Sequence, residues 1–442
     1  MLRKPFVLVA VALISSAVLW MVGGSTDTEP PDRPDAAAAV AAPGPSGIDP
    51  AELDRLIGDF HERFAAFGGV TNGTTLGRLL RERAALTGDV ADYGAAYEVL
   101  GDTVASAPGS HDARLLLAHA ASDLHLFAEA HRLAAEVVAA QVDRLDAVAL
   151  VGDTALALGD YDTARTSVDR LVAALPGRPE VLLRQAHVVA LDGEVPRALA
   201  LAARAADTAA TLGLPAADQA LYRSAHGALA TELGLPAIGI ASFDAALDLV
   251  AEYPPAIEGR GVALALLGDF EAAIADLATM TALSPDDLHA HLIFGDVLTR
   301  AGRLERAAEH FEMAEALEAS DVHGLFRRQI ASYEIAHGGD FERARALART
   351  ELEARQDAAG YDLAGWAEFH TGSLDEARRL ADLGLELREP TGLALYHSAE
   401  IAVAQGETER AIEELRRALT INPTFDVLAV PAAERLLASL GG

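Results

Sequence analysis

Apolar residues fall at helical spacing through most of this chain, in bursts of about a dozen residues that glycine interrupts. The stretch from Pro255 to Pro285, PAIEGRGVALALLGDFEAAIADLATMTALSP, predicts two short amphipathic helices back to back. Gly261 and Ala273 put small residues where two helix backbones approach, and Gly268-Asp269-Phe270 marks the turn between the helices. The turn glycine supplies the left-handed conformation that ends the first helix. Ala282-Leu283-Ser284-Pro285 closes the unit, and a proline there suits the first turn of the next helix, where its missing N–H costs nothing. Neighbouring stretches copy the frame at Gly152, Gly159, Ala164 and Pro176, and again at Gly295, Gly302 and Ala307.

The turn glycine recurs at Gly88, Gly159, Gly193, Gly234, Gly268, Gly302, Gly339, Gly372 and Gly406, with His125 in the one missing slot. Most steps are 34 residues or close to it, apart from an insertion within Ala209–Ala217. The alanine mark follows at Ala130, Ala164, Ala198, Ala273, Ala307, Ala344, Ala377 and Ala411, with Gly239 in one unit. This frame resembles the tetratricopeptide repeat, a helix–turn–helix unit of about 34 residues. The resemblance covers about ten units from Thr75 to Pro423 and implies an all-α, right-handed superhelix with terminal capping helices. It also implies a non-catalytic scaffold that binds a peptide or protein segment in its concave groove.

Outside the repeats the pattern changes. Arg3 and Lys4 precede an apolar run, Phe6–Val22, closed by Gly23-Gly24, so residues 1–24 read as a signal anchor, with a cleaved signal peptide as the alternative. Either reading sends the repeats to the extracytoplasmic side. Residues 25–48 are rich in Pro, Ala and Asp and read as a disordered linker. Residues 49–69 form a capping helix: Asp49 can cap, Pro50 suits the first turn, and Glu52 completes the capping box. Leu53, Leu56, Ile57, Phe60, Phe64 and Phe67 make its apolar stripe, and the repeats occupy 70–424. Residues 425–442 form the C-terminal capping helix, with Leu428, Val430, Leu436, Leu437 and Leu440 on the buried side.

Composition narrows the function. The 442 residues are rich in Ala and Leu, strong helix formers, and have few aromatics; period-two β-branched runs are missing, which argues against a sheet. The formal charge is −31 and Lys4 is the only lysine; no basic face for nucleic acid is visible in the sequence, and a neutral or basic partner fits better. The same lack of lysine in the array argues against the carboxylate-gripping mode that some tetratricopeptide domains use. There are no cysteines, which excludes disulfides and thiolate metal sites.

Carried over from the family register, the inward positions hold Asp112, His119, Asp153, His187 and Glu258, then His289, Asp296 and Arg300. The last three repeats add Gln329, Tyr333 and His337, then Asp362, Trp366, Phe369 and His370, then Tyr396 and Glu400. Tyr333, Asp362, Trp366, Phe369, His370, Tyr396 and Glu400 form the candidate partner-binding wall, since aromatics beside polar groups dominate interface energetics. The same rings packed between repeats would instead be core. The histidine-bearing groove allows a second reading, a small-molecule or metal-handling protein. His289 and His291 lie about 200° apart on a helix, too far round to chelate together. His337 and His370 share a register position in adjacent repeats and could approach, with Asp362 joining them. No nucleophile elbow, phosphate loop, dinucleotide fingerprint or His-Glu-x-x-His motif occurs, so no cofactor and no enzymatic activity are expected. The Gly159-Asp160, Gly268-Asp269 and Gly339-Asp340 pairs read as turns whose aspartate caps the second helix.

Overall fold

A computed structural model describes residues 50–87, 89–319, 321 and 324–441 of the chain. The apolar run Phe6–Val22, the linker 25–48, the cap Asp49 and the turn residue Gly88 lie outside them. The described residues form helices and turns with no strand.

The helices are α1 (Pro50–Phe67), α2 (Val70–Thr87), α3 (Val90–Ser106), α4 (His111–Asp123), α5 (Phe127–Ala140), α6 (Leu145–Leu158), α7 (Tyr161–Ala174) and α8 (Pro179–Leu191). They continue with α9 (Val195–Thr211), α10 (Ala216–Glu232), α11 (Pro236–Leu247), α12 (Pro254–Leu266), α13 (Phe270–Leu283), α14 (Leu288–Arg300) and α15 (Leu304–Glu318). The last are α16 (Arg327–Ala336), α17 (Phe341–Ala354), α18 (Ala358–His370), α19 (Leu374–Leu387), α20 (Gly392–Gln405), α21 (Thr408–Ile421) and α22 (Ala429–Ser439). Between α1 and α22 the chain makes ten successive helix pairs, α2–α3 to α20–α21, the order of an α-solenoid.

Local chemistry explains the pairs. Gly268 takes φ +83°, which an L side chain rarely adopts, and Asp269 then accepts the Ala272 N–H at 3.3 Å to start α13. Asp160 and Asp340 cap α7 and α17 in the same way. His125 is the one non-glycine among the described residues with positive φ, +55°, and holds the slot where the period calls for glycine. In the eighth pair the left-handed residue is Gly338, φ +66°, rather than Gly339. One extra residue separates it from the cap Asp340, so the sequence frame is displaced by one there.

Small residues set the helix spacing. A Cβ on Gly261 would lie 3.0 Å from Leu277, and one on Gly295 would lie 2.2 Å from the Phe311 ring. One approach is reciprocal and runs backbone to backbone: a Cβ on Gly239 would lie 2.9 Å from the Gly227 carbonyl oxygen, and one on Gly227 would lie 3.0 Å from that of Gly239.

The chain divides into two compact units. The C-terminal unit holds Val189–Ala203 and the described residues from Tyr222 onward; the N-terminal unit holds the described residues to Val188 and Arg204–Leu221. In the N-terminal unit Leu53 and Ile57 of α1 are buried against Leu76, Leu79, Leu80 and Ala96, with Leu56, Phe60 and Phe64 packed beside them. Phe67 departs from the expected stripe: it is 83% exposed, because the chain reverses at Gly68-Gly69 (φ +58° and +90°) before anything can cover it. In the C-terminal unit Val430, Leu436, Leu437 and Leu440 of the last helix pack on the core of α20 and α21 and cover the end of the array.

Candidate functional site

In the N-terminal unit the inward-register carboxylates are spent on ion pairs. Asp112 binds Arg144 at 2.7 Å, and Asp153 binds the buried Arg184 in a two-pronged contact at 2.7 and 2.8 Å. Arg81 pairs with Asp123. Burial, together with Arg81, Arg184 and Arg144, pushes the His119 imidazole down to about 3, so it is neutral at physiological pH.

In the C-terminal unit α18 and α20 bring the Trp366 and Tyr396 groups of the proposed wall together, while Tyr333 of α16 packs in a separate cluster with Phe311. Trp366 stacks on Phe369 (centroids 4.9 Å apart, planes 6° apart), meets His370 edge-on at 4.5 Å and lies 6.3 Å from Tyr396. Tyr333 lies 4.8 Å from His337 and 5.0 Å from Phe311. Tyr396 donates its hydroxyl to Glu400 Oε1 at 2.9 Å. Burial is the main cause that raises the Tyr396 hydroxyl and the Glu400 carboxyl above their ordinary values. Burial also lifts the Tyr333 hydroxyl to about 12.

Two of the proposed wall residues take the packed alternative. Trp366 is 3% exposed, in a core with Ile335, Leu363 and Leu380, and Tyr396 is 0% exposed beside Phe425. They back the wall rather than face solvent, because the neighbouring repeats and, for Tyr396, Phe425 cover them. Tyr333, Asp362, Phe369, His370 and Glu400 are half-buried.

The histidines also sort differently from the register reading. His337 and His370 do not share a site: His337 Nε2 meets Asp296 Oδ1 at 3.0 Å, whereas His370 packs on Phe341 and Trp366. Asp362 joins neither. It receives the Nδ1–H of His397, 3.1 Å from both carboxylate oxygens, and His397 stacks on Trp366 at 4.2 Å. His397 was missed because it lies one residue past an inward position, a place the register assigns to packing. Its Nε2 and the Trp366 Nε1 are buried with no hydrogen-bond partner among the described residues. His291 and His289 do point to separate neighbours: His291 contacts His310 (Nδ1 to Nδ1, 2.9 Å), and His289 faces Glu258 at 3.9 Å. Burial pushes the Glu258 carboxyl up to about 8 and the His289 imidazole down, so this contact is not an ion pair at neutral pH. Among the described residues no three His, Asp or Glu side chains gather as metal ligands, and no helix is long and apolar enough to cross a membrane.

A family model described as tetratricopeptide repeat matches residues 115–179, 150–213, 224–287 and 260–321, and a second model with the same description matches 393–425. No curated protein matches the chain. Among solved structures, a chain of the Cut9–Hcn1 hetero-tetramer of the APC/C is 15% identical, with 88% of this chain and 94% of that chain covered and a TM-score of 0.37. A tetratricopeptide repeat protein from Parabacteroides merdae is 18% identical, with 60% and 99% covered and a TM-score of 0.37. MamA is 19% identical, with 38% and 95% covered and a TM-score of 0.31. With both family models falling on its helix pairs and together spanning more than half of its length, the chain belongs to the tetratricopeptide-repeat family, whose members are scaffolds that bind other proteins.

Proposed function

We propose that this chain is a non-catalytic scaffold that holds an extended segment of a partner protein against α16, α18 and α20. The observation that carries the reading is that Tyr333, Asp362, Phe369, His370 and Glu400 are half-buried, with the buried Trp366 stacked on Phe369 and 6.3 Å from the buried Tyr396. Half-buried aromatics on a fixed backing give contact area with little entropy left to lose on binding. The charge of −31 favours a neutral or basic segment and disfavours nucleic acid. The apolar run Phe6–Val22 supports an extracytoplasmic array tethered at the membrane.

The test is crosslinking of the full chain in its own cells with identification of captured proteins, comparing wild type with Tyr333→Ala and Phe369→Ala. Loss of a specific captured protein in both variants, with helical content retained, supports the wall; unchanged capture removes it. Protease treatment of intact cells tests the location, since an external array is digested and an internal one is protected.

One observation favours a second reading, a small polar ligand. Trp366 Nε1–H is a buried donor, and His397, whose Nδ1–H is given to Asp362, keeps an acceptor at Nε2. A buried donor and a buried acceptor on two stacked rings, each without a partner among the described residues, suit a molecule that supplies both complements. Native mass spectrometry of the purified full chain would detect such a ligand, and elemental analysis of the same sample would detect a metal.

A further inference from the structure

In the C-terminal unit, turns near its beginning are bound to loops near its end. Asn422 donates its side-chain amide to the Glu232 carbonyl at 3.0 Å, across 190 residues of sequence. The Glu389 N–H donates to the Leu191 carbonyl at 2.9 Å, and Arg300 Nε donates to the Val427 carbonyl at 3.3 Å. Two repeat glycines are shaped to this seam. A Cβ on Gly234 would lie 2.7 Å from Asn422 Oδ1, and one on Gly193 would lie 2.8 Å from Glu389 Cγ.

The segment that makes the closure is also seated on the wall. Phe425 is buried against Gly392, where a Cβ would lie 2.7 Å from its ring, and its ring centroid lies 6.2 Å from that of Tyr396. Tyr396 in turn lies 6.3 Å from Trp366. Asp426 is buried, bonds the Leu428 and Ala429 N–H groups at 2.8 and 2.6 Å, and places its charge beside Asp296 and Tyr396. The last loop thus does more than cap the array: it joins α10, α14 and α20, which are far apart in the chain.

We propose that residues 422–428 act as a clasp that closes the C-terminal unit on itself and controls access to the wall that Trp366 and Tyr396 back. The bonds named at the seam are hydrogen bonds to backbone carbonyls, each only modestly stabilising in net, so the seam is a place where the unit can open without unstacking its repeats. The closure stands apart from the partner reading; only its consequence for the wall rests on that reading.

The test uses the full chain carrying Trp20→Phe, which leaves Trp366 as the only tryptophan. Adding Asn422→Ala and Arg300→Ala is expected to raise acrylamide quenching of Trp366 about threefold and amide exchange in peptides spanning Leu191–Gly193 and Glu232–Gly234 about tenfold, with helical content kept. Quenching and exchange that stay at the parent level overturn the clasp. A second variant locks the same seam covalently beside the clasp: Gly193→Cys with Glu389→Cys, in a chain with no other cysteine and with the two Cβ positions 3.3 Å apart, its reduced form controlling for the strain of a side chain at φ +73°. Its oxidised form is expected to fall below the parent in both readouts and to recover on reduction. Oxidised and reduced forms that behave alike also overturn the proposal. Both readouts work without a partner, so failure of the scaffold reading would leave this result standing.

Discussion

His397 gives its Nδ1 proton to Asp362, 3.1 Å from each carboxylate oxygen, and so ties α20 to α18 from inside the core. His397 is 1% exposed, so no water can replace that acceptor cheaply. Asp362→Ala is expected to destabilise the C-terminal unit by about 1–3 kcal/mol, the cost of a buried donor left unsatisfied. Asp362→Asn keeps one carbonyl acceptor and should recover most of the loss. Urea midpoints followed by the fluorescence of Trp366, which stacks on His397, in chains carrying Trp20→Phe give the measurement.

Gly239 and Gly227 are predicted to tolerate no side chain, because each would press on the other's backbone carbonyl. Gly239→Ala should cost about 1–3 kcal/mol despite the better helix propensity of alanine. Gly101 is the control. It lies within α3 with nothing near its Cβ direction, so Gly101→Ala should gain about 0.5–1 kcal/mol. Equal effects at the two sites would contradict the close approach of α10 and α11.

The Glu258 carboxyl, lifted by burial to about 8, holds a proton in the folded chain over a range where the unfolded chain has lost it. Its contribution to stability is therefore present below about pH 4.5 and lost as pH rises to about 8. Glu258→Gln removes this slope. The variant should match wild type near pH 4.5 and gain on it by at most roughly 1.4 kcal/mol per pH unit up to pH 8. Two imidazoles act in the opposite sense. His310 is pushed down to about 4 by burial, His291 and Arg306, and His119 to about 3. The stability they lend is complete above about pH 6.5 and lost as pH falls through their folded values. Thermal melts from pH 4 to 9 would resolve both limbs.

Glu351 is the centre of a buried charge cluster. It accepts from Arg328 Nε at 3.3 Å and from Arg355 at 2.6 and 3.1 Å, and Arg328 also binds Asp357 at 2.6 and 2.9 Å. Burial lowers the Arg355 guanidinium, with Arg328 adding repulsion, while the arginines together hold Glu351 ionised. Glu351→Ala removes the carboxylate that the buried Arg328 and Arg355 share, leaving Asp357 to face Arg328 alone, and should cost about 3–5 kcal/mol. Exchange measurements should place the loss in α16–α18 rather than in the N-terminal unit. A loss under about 1 kcal/mol would mean that the arginines reach water without it.

The sequence alone determined the helical class, the ten pairs and most of the turns, because each of those features is made within one repeat. A left-handed glycine, an aspartate cap and a small residue at the helix crossing all act on neighbours fewer than 20 residues away, and they leave a period that can be counted. Even the exception at His125 was legible, since the period required a turn there. The shift to Gly338 was not, because one added residue in a two-glycine turn leaves the neighbouring spacing almost unchanged. Tertiary structure decided which rings are covered. Trp366 and Tyr396 share a register with half-buried side chains, and only the size of the adjacent repeat's residues and the arrival of Phe425 bury them. It also decided that Asn422 meets Glu232. Contacts between residues so far apart depend on how small rotations between repeats add up, and that sum is set by the packing of every intervening pair rather than by any motif in the chain.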